Sequence, residues 1–257
     1  MIQRTGFLMA VLSAAALYAS PVTFTDTAGD QVGSTNPARD IQSVIVSNDS
    51  SNLIFTINLN PAATLGTVSF DYGIGITTGS GANGDLGTDA TYHGNPYKRT
   101  ISIASSQGGM TDWVGLFPAG GSGNTTSPWT SYGFNDYVWN SSTSSWGSAV
   151  DTVSSGQPMT TQNSQTGLSS ITVTVPMSDL SNLNLTAGSS FLFDVYSTGT
   201  GAGQTAYDSL ADPSPTNSTN SATTQYDGSL LDSYTIQVPE PGCLGVALIA
   251  LGASRRK

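Results

Sequence analysis

Short runs in which apolar and polar residues alternate recur along the chain, separated by stretches of Gly, Ser, Thr and Asn. In residues 40–60, DIQSVIVSNDSSNLIFTINLN, Val44 and Val46 alternate, a polar turn spans Asn48 to Asn52, and Leu53, Phe55, Ile57 and Leu59 fall on one side. Strand side chains point alternately to the two faces of a sheet, so this pattern predicts a hairpin with one buried face. Val68, Phe70, Tyr72, Ile74 and Ile76 predict a further strand, as do Ile101 with Ile103, the set Ile171, Val173 and Val175, and the set Phe191, Phe193 and Val195. Tyr234, Ile236 and Val238 are expected together on a last strand. No long window carries a helical period. One short helical turn is expected in residues 176–183, PMSDLSNL, with Ser178 as its N-cap. Residues 77–99 and 197–228 are expected to be long loops, of the length that is functional or disordered. One-face alternation repeated in this way predicts an all-β fold, an antiparallel, jelly-roll-like β-sandwich.

The two ends of the chain depart from this pattern. Arg4 precedes an apolar stretch from Gly6 to Ala19, which reads as the helix of a secretory signal peptide, with cleavage after Ala19 or after Ala16. The competing reading is an uncleaved N-terminal anchor. The chain therefore divides into a signal peptide at 1–19, a β-sandwich domain at 20–237 and a terminal signal at 238–257. Without its ends the body keeps three basic residues, Arg39, Lys98 and Arg99, against sixteen aspartates, a net charge of −13. Such a surface repels nucleic acid and anionic lipid and attracts cations, although solubility alone would explain it equally well. Every acidic residue of the body is Asp, a type depleted in strands and common in turns and Ca²⁺ loops. The only cysteine, Cys243, lies in the tail, so the body has neither a disulfide nor a thiol nucleophile.

After Val238 the chain reads Pro239-Glu240-Pro241, an apolar run of 12 residues from Gly242 to Ala253, and then Arg255-Arg256-Lys257. These three parts, in this order, resemble the PEP-CTERM sorting signal of exosortase substrates. The sorting motif falls on Val238, Pro239, Glu240, Pro241, Arg255 and Arg256. The resemblance implies Sec export, a transient inner-membrane tether, and cleavage near Pro-Glu-Pro by an exosortase-like enzyme. Delivery would be to the cell surface or extracellular matrix of a Gram-negative-type bacterium. The prolines stop any strand or helix from crossing the junction, and the basic end stays cytoplasmic. A 12-residue helix spans only ~18 Å of a ~30 Å hydrocarbon core, which suits a temporary tether better than a permanent anchor. The alternative for the tail is an unprocessed anchor. The body's DTAGDQVGSTNPARDIQSVIVSNDSSNLIFTINLN (residues 26–60) resembles the opening of DOMON-like, family 9-like carbohydrate-binding sandwich modules. That likeness suggests a fold but implies no activity.

Catalytic chemistry is hard to assemble from these residues. The single histidine, His93, stands in a Gly/Asn/Pro loop without a nucleophile elbow, so no catalytic residue is assigned. Asp194 and Asp208 would be the first carboxylate pair to test for glycoside hydrolysis, against their ordinary reading as a strand position and a turn. Asp26 and Asp30, with Gly29 between them and Asp40 following, form a candidate Ca²⁺ site of hard oxygen donors, although acidic surface loops explain them almost as well. All four tryptophans, Trp113, Trp129, Trp139 and Trp146, fall within 34 residues together with Tyr137. They are candidate platforms for stacking on sugar rings, and the competing reading places them in the core. The sequence thus predicts a non-enzymatic protein of the cell surface or matrix that binds polysaccharide. A purely structural or adhesive protein is the alternative, and a glycan-active hydrolase comes third.

Overall fold

The computed structural model describes residues 19–31, 36–60, 70–88, 94–117, 133–149, 160–162, 169–199, 204–212 and 226–238. The predicted signal helix and the C-terminal apolar helix lie outside them, as does His93. The chain begins with β1 (Val22–Thr25) and continues with β2 (Ile41–Asn48), β3 (Asn52–Leu59), β4 (Phe70–Thr77) and β5 (Ile101–Ile103). Its middle holds β6 (Asp112–Phe117), β7 (Gly133–Asn140), β8 (Ser145–Trp146), β9 (Thr160–Gln162) and β10 (Ser169–Pro176). Then come β11 (Ser190–Gly199), β12 (Ala206–Ser209), β13 (Tyr226–Gly228) and β14 (Asp232–Thr235).

One sheet has the order β1-β2-β3-β10-β9 and the other β12-β11-β4-β6-β7-β8, with β14 also on β11. Both are antiparallel throughout. The parallel pair β5–β13 stands apart from them. β12 takes the Tyr196–Thr198 part of the β11 edge and β14 takes Ser190–Phe193, so two short strands cover what one long neighbour would cover.

Alternation builds the core as expected. Leu53, Phe55, Ile57 and Leu59 of β3 are buried, and their partners on β10 place Val173 opposite Phe55 and Ile171 opposite Ile57. On the other face of the same pair, Thr56 and Thr172 join hydroxyls at 2.9 Å. Facing this layer are Tyr72, Ile74 and Ile76 of β4, Val114 and Leu116 of β6, and Phe191, Phe193 and Val195 of β11. Phe193 locks the two sheets together, with ring centroids 5.1 Å from Phe24 and 5.7 Å from Phe55. Each large side chain buried here contributes about 1.5–3 kcal/mol.

The second sheet is also covered on its outer face. Ile101, Ile103, Met110, Trp113, Trp139, Trp146, Tyr196 and Ala206 form a separate buried cluster there. Gly73 and Gly75 of β4 are the floor of this layer. A Cβ on Gly73 would sit 2.4 Å from the Tyr196 ring, and one on Gly75 would sit 2.7 Å from Met110 Cε. Glycine inside a strand often marks such a close approach.

Several expectations change. Residues 177–183 form turns rather than a helical turn. Among the described residues the helical content is instead two short 3₁₀ segments, Pro37–Arg39 and Ser105–Gln107. Ser178 gives its hydroxyl to the Asp179 carboxylate, which leaves it no capping role. The expected loop 197–228 contains β12 and β13. Val238 does not join Tyr234 and Ile236 in the core. It is 71 % exposed, because β14 ends at Thr235 and the chain turns outward after Gln237.

Candidate functional site

The β1–β2 connection leaves β1 with Asp26 and passes through Gly29, whose φ of +83° puts it in the left-handed region that glycine adopts without strain. It then carries Asp30 and, after the 3₁₀ turn, Asp40. Asp40 holds the loop in place. Its Oδ1 accepts the Gly29 N–H at 3.1 Å and the Gln42 amide at 2.9 Å, and its Oδ2 accepts the Asn60 amide at 2.7 Å. These bonds engage both of its oxygens, so the structure separates Asp40 from the candidate ligands and makes it a residue that positions them.

Its place is taken by Asp208 of β12. Asp208 is 0 % exposed and pairs with Ser197, on the side of β11 that also carries Val195 and Phe193. One oxygen each from Asp26, Asp30 and Asp208 lies within 4.8 Å of the others. Asp208 Oδ2 accepts the Ile41 N–H at 2.6 Å, and Asp26 Oδ1 accepts the Thr27 N–H at 2.7 Å. The remaining oxygens, Asp26 Oδ2, both of Asp30 and Asp208 Oδ1, are shut off from solvent without a hydrogen-bond partner. So is Oε1 of the next residue, Gln31.

An acceptor-only cluster of this kind is electrostatically costly. Burial above all, and then the neighbouring charges of Asp30, Asp194 and Asp40, push the Asp26 carboxyl up to about 8, against the pull of its Thr27 hydrogen bond. Burial and the charge of Asp26 push Asp208 up to about 9. Asp30 is also raised, chiefly by burial and against the pull of its contact with Asp208, with Asp40 and Asp212 adding to the rise. Carboxyl groups this close at neutral pH must either take up protons or share a cation.

Asp194 stands apart from the cluster. It lies on the opposite side of the β11–β12 ladder, where both its oxygens accept the Ser209 hydroxyl and Oδ1 also accepts the Ala211 N–H. Asp194 and Asp208 therefore face away from each other across the sheet and do not flank a common substrate position.

The tryptophans behave as packing residues. Trp113, Trp139 and Trp146 are 2, 8 and 6 % exposed. Trp113 donates its indole N–H to the Tyr196 hydroxyl, Trp146 donates to Asp85 Oδ2 at 2.8 Å, and Trp139 meets Trp146 edge-on at 5.6 Å. No broad indole face of these three is left for a sugar ring. Trp129 lies outside the described residues. Tyr137 is half-buried, with Tyr97 at 5.7 Å edge-on and its hydroxyl donating to that of Tyr97 at 3.2 Å. What the aromatic region does offer is a groove of about 400 Å³ in which the rim of Trp139 meets Asn83, Ser105, Ser141 and Ser144. A smaller hollow of about 190 Å³ continues past Asn182.

Of the residues expected to form a sorting motif only Val238 is described. Asn48 at the end of β2 fixes the chain just before it. Its Oδ1 accepts the Tyr234 hydroxyl at 2.8 Å and the Gln237 N–H at 3.0 Å, while its Nδ2 donates to the carbonyls of Gln237 and Asp49. The carbonyl of the same residue accepts the N–H of Ala19 at 2.8 Å, and Ala19 is buried. The two ends of the folded body thus meet at one residue. No family model matches this chain, and no match is found among curated proteins or among solved structures.

Proposed function

We propose that this is an exported, non-enzymatic β-sandwich protein of the cell surface or extracellular matrix, delivered through an exosortase-type sorting system. The observation that carries the reading is the way the body ends. Asn48 holds Gln237, the next residue is exposed, and Pro239-Glu240-Pro241, the apolar run and the basic terminus follow at once. A processing enzyme needs its cleavage site clear of the folded domain, and Val238, the residue before Pro-Glu-Pro, is exposed. At the other end, burial of Ala19 favours signal cleavage after Ala16 over cleavage after Ala19, because the shorter product would lose a packed residue.

Fractionation with intact-mass analysis tests both ends together. The expected product begins at Leu17 and ends near Pro-Glu-Pro. A surface-exposed protein that kept Arg255-Arg256-Lys257 would overturn the sorting reading.

The groove beside Trp139 favours polysaccharide as the ligand, with serine and asparagine groups set around one aromatic edge. Ser141→Trp, at an exposed lining position, fills the groove without entering the core. It is expected to abolish pull-down on exopolysaccharide while the circular dichroism spectrum stays unchanged. Undiminished binding by this variant would remove the groove as the binding site.

A further inference from the structure

We propose that Asp26, Asp30 and Asp208 form a calcium site that ties the β1–β2 loop to β12. The cluster alone would be only a group of acids. The independent observation is Asp208, fully buried on a sheet edge, whose Oδ1 has no partner and whose carboxylate offers one of a set of oxygens lying within 4.8 Å of one another. A buried carboxylate oxygen without a donor is rare because its desolvation is uncompensated, and a cation compensates it.

The donor chemistry selects the ion. All three ligands offer hard oxygens, and the set holds no imidazole or thiolate, which excludes the preferences of zinc and copper. Calcium binds oxygens at 2.3–2.6 Å, so two donors on either side of one ion can stand up to roughly 5.2 Å apart, which takes in the spacing of this set. Magnesium binds nearer 2.0 Å and keeps several waters, which suits a solvent-screened pocket poorly. Gln31, next in the chain to Asp30, adds a neutral oxygen that is likewise buried without a partner.

The surroundings fit a positioned site. Asp40 holds the loop through the Gly29 N–H, and Asp208 already bonds the first backbone N–H of β2. Arg39, next in the chain to Asp40, lies with its guanidinium carbon 3.8 Å over the Tyr207 ring. The cation would join the edge strand of one sheet, through the loop that leaves β1, to the edge strand of the other.

The exported protein, freed of metal with EDTA and then titrated with CaCl₂ by calorimetry and thermal melting at pH 7.5, tests the site. One Ca²⁺ per chain should bind, and a hundredfold excess over Kd should raise Tm by about 5–10 °C. MgCl₂ at equal concentration should give a smaller rise. Asp208→Asn and Asp30→Asn should each weaken binding at least ~10-fold, the loss of one charged ligand being worth ~1.4 kcal/mol or more. Asp179→Asn, in the turn beyond β10, should bind as the parent does. Should Asp208→Asn fail to fold, Asp26→Asn on the loop provides the same readout. A flat titration with unchanged Tm overturns the proposal and leaves proton sharing as the state of the cluster. Full binding in the Asp208 and Asp30 variants overturns it equally, by placing the ion elsewhere.

Discussion

At Gly29 and Gly73 glycine is required for opposite reasons, and one substitution separates them. A Cβ on Gly29 would meet nothing within 4 Å, so Gly29→Ala strains only the left-handed backbone and should cost about 1–2 kcal/mol. Gly73→Ala drives a methyl into the ring of buried Tyr196, which also holds the Trp113 indole, and should cost about 2–3 kcal/mol by urea denaturation. Equal costs would mean that the outer layer repacks freely. The acidic site shows what residue-level reading can reach. Asp26 and Asp30 are four apart on one loop, and their candidacy was legible from spacing alone. Asp208 joins them only because β12 folds against the start of β2, a contact spanning 167 residues, and no local pattern announces it. Asp40 looked equivalent to its neighbours in sequence, and only its hydrogen bonds to Gly29, Gln42 and Asn60 reveal its different task.

Among the elements, strands carrying an alternating apolar run were readable, the short β5 and β14 included, and strands without one were not. β3 and β10 show the alternation of a half-buried sheet, whereas β12 is buried at all four positions and has no period to detect. Its sequence, Ala-Tyr-Asp-Ser, also carries a residue that strands usually avoid. The outer cluster was missed for a related reason. One-face alternation implies a solvated second face, and Gly73 and Gly75, outward-facing in a strand, were the available signal that the face was covered. The end of β14 is where the proposed sorting signal leaves the described fold. Asn48→Ala removes the acceptor for the Tyr234 hydroxyl and the Gln237 N–H, and the donor to two carbonyls, and should cost about 2–4 kcal/mol. The loss should appear first as protease cleavage near Tyr234 under conditions where the parent is resistant. Unchanged resistance would show that β14 is held by its ladder to β11 alone.

For the whole molecule, the buried carboxyls give a definite pH dependence. Asp26 and Asp208 lie at about 8 and 9 in the folded chain, against an ordinary value of 3.8. Asp112, buried beside the charge of Asp136, is lifted to about 7, and Asp71 to about 6 despite the Arg99 guanidinium 2.5 Å away. Between these limits the folded state binds more protons than the unfolded one, so stability must fall as pH rises. The metal-free protein should accordingly melt at progressively lower temperature from pH 5 to pH 9, the reverse of a protein held by depressed carboxylates. At the proposed site calcium would compete with the same protons at Asp26, Asp30 and Asp208. The rise in Tm that it produces should therefore grow with pH and be small at pH 5. Asp208→Asn removes one of the raised groups but keeps an acceptor for the Ile41 N–H. In EDTA it should melt at or above the parent at pH 8 and show a shallower slope against pH. A metal-free melting temperature that stayed level from pH 5 to pH 9 would mean that the cluster opens to water, and that its carboxylates are solvated rather than held for an ion.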